Sequence, residues 1–152
     1  MKNYTSYDLI EWGKPFKKSQ HALPEPTLSE VLIRVTAAGL CHSDLHVQKG
    51  YMDLGEEGRL TFAERGAQLP MTFGHEIAGI VEAVGDKVKN VSIGQQVLVF
   101  PWIGCGDCLA CNEDRESDCS AMRIIGLKQK GGFATHCLIE NEKFLVNIDG
   151  LD

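Results

Sequence analysis

Apolar positions along this chain recur mainly at intervals of two, in short runs broken by Gly, Pro and Asn, and long stretches of helical period are missing. In VLIRVTA, residues 31–37, Val31, Ile33 and Val35 point one way while Arg34 and Thr36 point the other, the signature of a half-buried strand. Further strands are predicted over 76–84 (EIAGIVEAV), 96–100 (QVLVF), 132–140 (GFATHCLIE) and 143–148 (KFLVNI). Gly85 and Asp86, and the run from Asn90 to Gly94, carry turn chemistry, and Asn141 with Glu142 makes a connection of hairpin length. One short helix is predicted from Ser43 to Gln48, stopped by Gly50, with another short turn inside the cysteine-rich stretch after 104. Pro24 and Pro26 make a stiff approach to the first strong strand. Residues 50–70 read as a long irregular excursion, of the kind that is either functional or merely tolerated. The pattern is mainly β with short helices, and many short strands at this spacing suggest a barrel or sandwich.

The length of 152 residues suits one domain, which buries roughly 68–70% of its unfolded surface. A formal charge of -6 with scattered Lys and Arg argues against a nucleic-acid partner. No leader-like N-terminus and no apolar run near the ~20 residues needed to cross a bilayer are present, so a cytoplasmic location with no membrane partner is expected.

Chemistry concentrates in the cysteines. Cys105, Cys108, Cys111 and Cys119 follow gaps of two, two and seven residues, a spacing that lets four thiolates converge on one tetrahedral zinc. The intervening residues are polar and glycine-rich and could not form a core unaided. Disulfides are the alternative, disfavoured in a reducing compartment. Four cysteines around one ion leave no open position, so such a site is structural. Cys41, His75 and Glu76 supply a thiolate, an imidazole and a carboxylate, the ligand types of a catalytic zinc, although Cys41 and His75 stand far apart in sequence and a lone His is often only a packed core residue. Cys137, in an alternating apolar run, reads as a buried inert thiol.

The string VLIRVTAAGLCHSDLH, then LPMTFGHEIAGIVEAVGDKVKNVSIGQQVLV, then the four-cysteine segment, closely resembles the zinc-dependent alcohol dehydrogenases of the medium-chain dehydrogenase/reductase superfamily. The resemblance runs from Glu30 to the end of the chain. It implies a GroES-like β-barrel catalytic domain over 1–152 with a structural-zinc lobe at about 102–122, and the excursion resembles an extended loop of bacterial and archaeal members. Cys41 and His75 become catalytic zinc ligands, Glu76 an alternative or outer ligand, and Asp44 the carboxylate that orients the zinc-binding His75. Ser43 becomes the hydroxyl that takes the substrate proton, relayed by way of the cofactor ribose to His46. His42 matches a contact to the cofactor pyrophosphate, and Trp102 and Ile124 match pocket-lining positions that could equally be ordinary packing. The reaction implied interconverts alcohols with aldehydes or ketones using zinc and NAD or NADP.

The chain departs from that family in one respect. No Gly-x-Gly-x-x-Gly lies between a strand and a helix, since Gly104 and Gly106 lead into the cysteines and Gly131 and Gly132 lead into a strand. The Rossmann half, the third catalytic ligand and the family's C-terminal return are therefore expected elsewhere, as for a fragment. The lone chain is expected to be inactive, with its catalytic zinc weak or absent and its structural zinc retained. A free-standing, zinc-stabilised GroES-like binding or regulatory module is the alternative, against which Ser43, His46 and Glu76 speak. A zinc-free quinone oxidoreductase relative would lack both cysteine groups.

Overall fold

A computed structural model describes residues 2–151. Strands β1 (Asn3–Leu9) and β2 (Lys17–Ala22) form a hairpin, and β3 (Val31–Gly39) runs directly into helix α1 (His42–Lys49). A small hairpin, β4 (Tyr51–Asp53) and β5 (Arg59–Thr61), is followed by β6 (Met71–Thr72), the long β7 (Glu76–Val84) and β8 (Gln96–Val99). Two-residue strands β9 (Trp102–Ile103) and β10 (Arg123–Ile124) frame the cysteine segment, which holds the single turn α2 (Leu109–Asn112). Then come β11 (His136–Ile139) and β12 (Leu145–Asn147), with a 3-10 turn at Glu142–Phe144 between them.

The main sheet is antiparallel throughout, in the order β11-β3-β7-β8-β12, and a smaller sheet has the order β2-β1-β6. A bridge between Ser6 and Ala134 and backbone bonds such as Tyr7 N–H to the Phe133 carbonyl, 2.8 Å, join the two. Among the described residues the ladders do not close into one continuous barrel. Ile33, Ile77, Val81, Val97 and Ile139 pack between the strands, each at 1% exposure or less. A second cluster of Leu9, Val47, Phe62, Ala67 and Phe73 lies between the small sheet, α1 and the excursion. No described helix is long and apolar enough to cross a membrane.

The strand predicted over 76–84 has those bounds, and the helix extends the predicted one by a residue at each end. Gly50 ends it at φ 89°, a left-handed cap that lets its N–H bond the His46 and Val47 carbonyls. In β3 the alternation is imperfect because Leu32 is buried along with Val31 and Ile33; a register shift at Leu32/Ile33 rotates one residue inward. Three expectations change. Residues 132–135 are not part of β11, because their backbone bonds instead to Phe73, Gly74, Tyr7 and Thr5. Asn141 and Glu142 do not join a hairpin: β11 and β12 occupy opposite edges of the sheet, and the Asn141 side chain instead caps the 3-10 turn by accepting from Lys143 N–H. The excursion is irregular only in part: β4 and β5 pair from Tyr51–Thr61 to Asp53–Arg59, with Arg59 covering the Tyr51 ring at 4.4 Å, while residues 62–70 are turns and bends.

Candidate functional site

Pairing between β3 and β7 creates the site. Gly39 lies opposite Glu76, so Cys41, two residues past β3, meets His75, the residue just before β7. The ligand atoms of Cys41, His75 and Glu76 all lie within 4.8 Å of one another. One soft, one borderline and one hard donor beside a cavity are a set that could hold a zinc ion with one position free.

Asp44 ties this trio together from the first turn of α1. Its Oδ2 accepts the Cys41 N–H at 3.0 Å, which caps the helix, and its Oδ1 faces His75 Nδ1 at 3.5 Å. With Nδ1 turned to Asp44, Nε2 is the nitrogen left for a metal. Burial pushes the Asp44 carboxyl up, and the Cys41 N–H and His75 only partly offset that. Ser43, Asp44 and His75 share the lining of a cavity of about 250 Å³ with Trp102 and Ile124. His46 and His42 do not line it; their rings meet edge to face on the outer side of α1, 4.7 Å between centroids. The rest of the cavity wall comes from residues that spacing alone does not single out, among them Val47, Met52, Phe62 and Leu127.

The four-cysteine segment is a second centre. All six cysteines are unbridged. Zinc with four sulfurs at about 2.3 Å implies sulfur–sulfur edges near 3.8 Å, and Cys105 and Cys111 are 3.9 Å apart, Cys108 and Cys111 3.5 Å. The donor set therefore fits a closed tetrahedral ion. A side chain at Gly104 would collide with the Cys111 sulfur and come within 2.8 Å of Glu116 Cγ, so the bare backbone there is required. Cys105 N–H donates to the Cys119 sulfur at 3.4 Å and is the largest influence drawing that thiol down to about 7, while the Asp107 side chain pushes the neighbouring Cys105 thiol up to about 12. Two charge pairs fasten this segment to the main sheet: Arg123 with Glu140 at 2.6 Å, and Lys143 with the buried Glu116, whose carboxyl that bond holds below its ordinary range.

Comparison with known proteins then decides the family, because the profile described as "Alcohol dehydrogenase GroES-like domain" matches residues 27–150. The chain belongs to that family. An NAD-dependent alcohol dehydrogenase of Sulfurisphaera tokodaii is 41% identical over 141 residues, 92% of this chain and 39% of the relative. Among solved structures, the GroES-like domain here resembles the D-arabinose dehydrogenase of Sulfolobus solfataricus at TM-score 0.81 and 30% identity, covering 100% of this chain and 42% of that one. It also resembles a cobalt- and zinc-bound thermostable alcohol dehydrogenase of Pyrobaculum aerophilum at TM-score 0.80 and 27% identity, covering 98% and 42%. The chain thus spans about two-fifths of the length of the relatives it matches.

Proposed function

We propose that this GroES-like domain is the metal-bearing catalytic part of an NAD-linked, zinc-dependent alcohol dehydrogenase. The observation that carries the reading is the convergence of Cys41, His75 and Glu76 within 4.8 Å at the rim of a cavity lined by Ser43. Glu76 enters as a third ligand on the chain itself, where the sequence had suggested an outer or alternative role. Zinc bound there would supply Lewis acidity to an alcohol or carbonyl oxygen, and NAD, the cofactor in the name of the Sulfurisphaera relative, would accept or donate hydride.

The chain's own residues then divide the remaining work. Ser43 Oγ, on the cavity wall, takes the hydrogen bond and proton of the substrate hydroxyl. His46 lies three residues along the same helix and hence on a neighbouring face, with its ring half-exposed, where it exchanges that proton with water. Asp44 fixes the His75 ring and the Cys41 backbone together, so two ligands are positioned by one carboxylate. His42, exposed at the positive end of α1, is the contact for a cofactor phosphate. Cys105, Cys108, Cys111 and Cys119 hold a structural zinc. No Gly-rich phosphate turn is present, so the isolated 152 residues are proposed not to turn over alcohol.

Cobalt(II) titration tests the two centres, because thiolate-bound cobalt absorbs visible light. Two ions per chain are expected at saturating cobalt, the one at Cys41, His75 and Glu76 held more weakly than the four-sulfur one, with Cys41→Ser and His75→Ala each removing the weaker ion and leaving the four-sulfur spectrum intact. A single ion, or a second ion indifferent to Cys41→Ser, overturns the catalytic centre. Alcohol-dependent NAD reduction by the whole gene product should fall about 10²- to 10⁴-fold in Ser43→Ala.

A further inference from the structure

Five histidines occur in the chain, and three of them are each held by a carboxylate: His21 by Asp8 at 3.3 Å, His75 by Asp44 at 3.5 Å and His136 by Glu82 at 3.2 Å. His42 and His46 differ. Among the described residues neither has a carboxylate partner; they face each other on the outer side of α1, one turn apart, with ring centres separated by 4.7 Å. His42 is exposed and His46 half-exposed, so both rings are open to solvent.

Two imidazoles four residues apart share one face of a helix, the spacing at which helix-borne histidine pairs hold zinc. An ion bonded to an imidazole nitrogen at about 2.1 Å lies about 3.2 Å from the ring centre. Rings with centres 4.7 Å apart then subtend about 95° at it, the cis angle of an octahedral or square-planar ion. Rotation about χ2, a broad and soft torsion for histidine, aims the nitrogens with the backbone fixed. The helix is held at both ends: Asp44 caps it at Cys41, Gly13 N–H bonds the Gln48 carbonyl at 2.7 Å, and the Gln48 side chain donates to the Lys14 carbonyl at 2.8 Å. The pair is therefore preorganised, and an ion need not order it.

Charge selects the metal. Lys49 stands three residues beyond His46, and the positive end of α1 lies at His42, so the local field repels cations. Magnesium or calcium, held by oxygen ligands and field, is disfavoured there, whereas copper(II), nickel(II) and zinc(II) bond imidazole itself. Cobalt(II) stands lower in that order and gains no thiolate absorption from two imidazoles, so it adds nothing to the signal of the two cysteine centres.

We propose that His42 and His46 form a third cation site, separate from both cysteine centres, which takes one copper(II), nickel(II) or zinc(II) ion. An ion there occupies the lone pair that His46 needs to accept a proton, so it slows turnover. The site rests on the histidine geometry; its inhibitory effect rests on the alcohol dehydrogenase reading.

The test follows the ring signals of ¹⁵N-labelled histidine in the zinc-loaded chain as nickel(II), which is paramagnetic, is added. His42 and His46 should shift or broaden together, saturating at one bound ion, ahead of His21 and His136, whose carboxylate partners make them controls. Magnesium should move neither. His42→Gln or His46→Gln should weaken nickel binding at the remaining partner at least about tenfold, because the second bond of a chelate forms at high effective concentration. Cys41→Ser, which removes the neighbouring centre, should leave the pair's response unchanged. In the whole gene product, alcohol-dependent NAD reduction should fall at least about tenfold as nickel fills the pair. The activity that His42→Gln retains should be insensitive to the same nickel concentration.

His42 and His46 responding no earlier than His21 and His136, or either binding nickel as tightly without its partner, overturns the site. A response lost in Cys41→Ser assigns the ion to the trio of Cys41, His75 and Glu76 and overturns it equally. Nickel filling the pair with turnover unchanged removes the inhibition alone. A filled pair in a whole product that reduces no NAD removes the enzyme reading and leaves the third site standing.

Discussion

Gly39 and Glu76 are cross-strand partners at the end of the β3–β7 ladder, and the space that a side chain at 39 would need is filled by the Glu76 carboxylate. A Cβ at that position would collide with Oε2 and come within 2.9 Å of the Glu76 Cβ. Gly39→Ala should therefore swing Glu76 away from Cys41 and His75. Cobalt binding at that trio should weaken about 10- to 100-fold, the range for losing a group that positions a ligand, while the four-sulfur spectrum stays unchanged. Unaltered affinity at the trio would remove Glu76 from the ligand set.

Residues 104–122 lack an apolar core of their own, so a bound ion should be what orders them. Structural zinc sites contribute about 10–16 kcal/mol in small folds. Stripping metal with a chelator, or Cys111→Ser, should raise amide exchange across 104–122 by orders of magnitude, while β3, β7 and β8 remain protected. Equal protection of the cysteine segment with and without metal would contradict this.

Glu142 links the loop before β8 to the 3-10 turn before β12. Its carboxylate accepts Lys89 N–H at 3.0 Å, Asn90 N–H at 2.6 Å and the Asn90 side-chain amide at 3.1 Å. Loss of water pushes this carboxyl up, but the N–H groups of Asn90, Lys89 and Val91 outweigh that and hold it below the usual range. A depressed folded-state value gives stability that is present above the unfolded value of about 4.3 and is lost as pH falls through the folded one. Glu142→Gln should melt roughly 1–3 °C lower at pH 7, a small effect because the group is near solvent. The difference should begin to shrink as the pH falls below that unfolded value and vanish once it is below the depressed folded one. A constant gap across that range would mean that the charge contributes nothing.

Cys137 is 3% exposed among Ile33, Val31 and Ile139, and burial pushes its thiol up to about 12. Its burial in the main core, unlike the exposed Cys105 whose thiol is also pushed up, should keep a thiol reagent at pH 8 from Cys137 in the metal-free native chain, so that five of the six cysteines are modified and the sixth only in denaturant. Rapid native labelling of Cys137→Ser at one thiol fewer than the parent would show that Cys137 was accessible.

Legibility in the sequence followed the physics of each segment. Residues 76–84 were readable as a strand because the Ile77, Gly79 and Val81 positions face one packed side. By contrast β2, KKSQHA, has no residue fully buried and gives no apolar signal at all; only its pairing with β1 makes it a strand. The three-residue strands of the excursion are too short for a period to show. The four cysteines declare themselves by spacing, whereas Cys41 and His75, 34 positions apart, meet only through the β3–β7 register and were recognisable by resemblance. Met52 and Phe62 carry no motif, and a long-range fold is needed to bring them to His75.

The ladder of β9 and β10 is only two residues long, yet it is both the stalk of the cysteine lobe and a wall of the cavity, since Trp102 pairs across it with Ile124 and both line that space. The sulfur cluster is thus joined to the cavity wall through one rung. Loosening the lobe, by oxidising one of its thiols for instance, should displace Trp102 and Ile124 and reshape that wall while Cys41, His75 and Glu76 keep their places on the β3–β7 ladder.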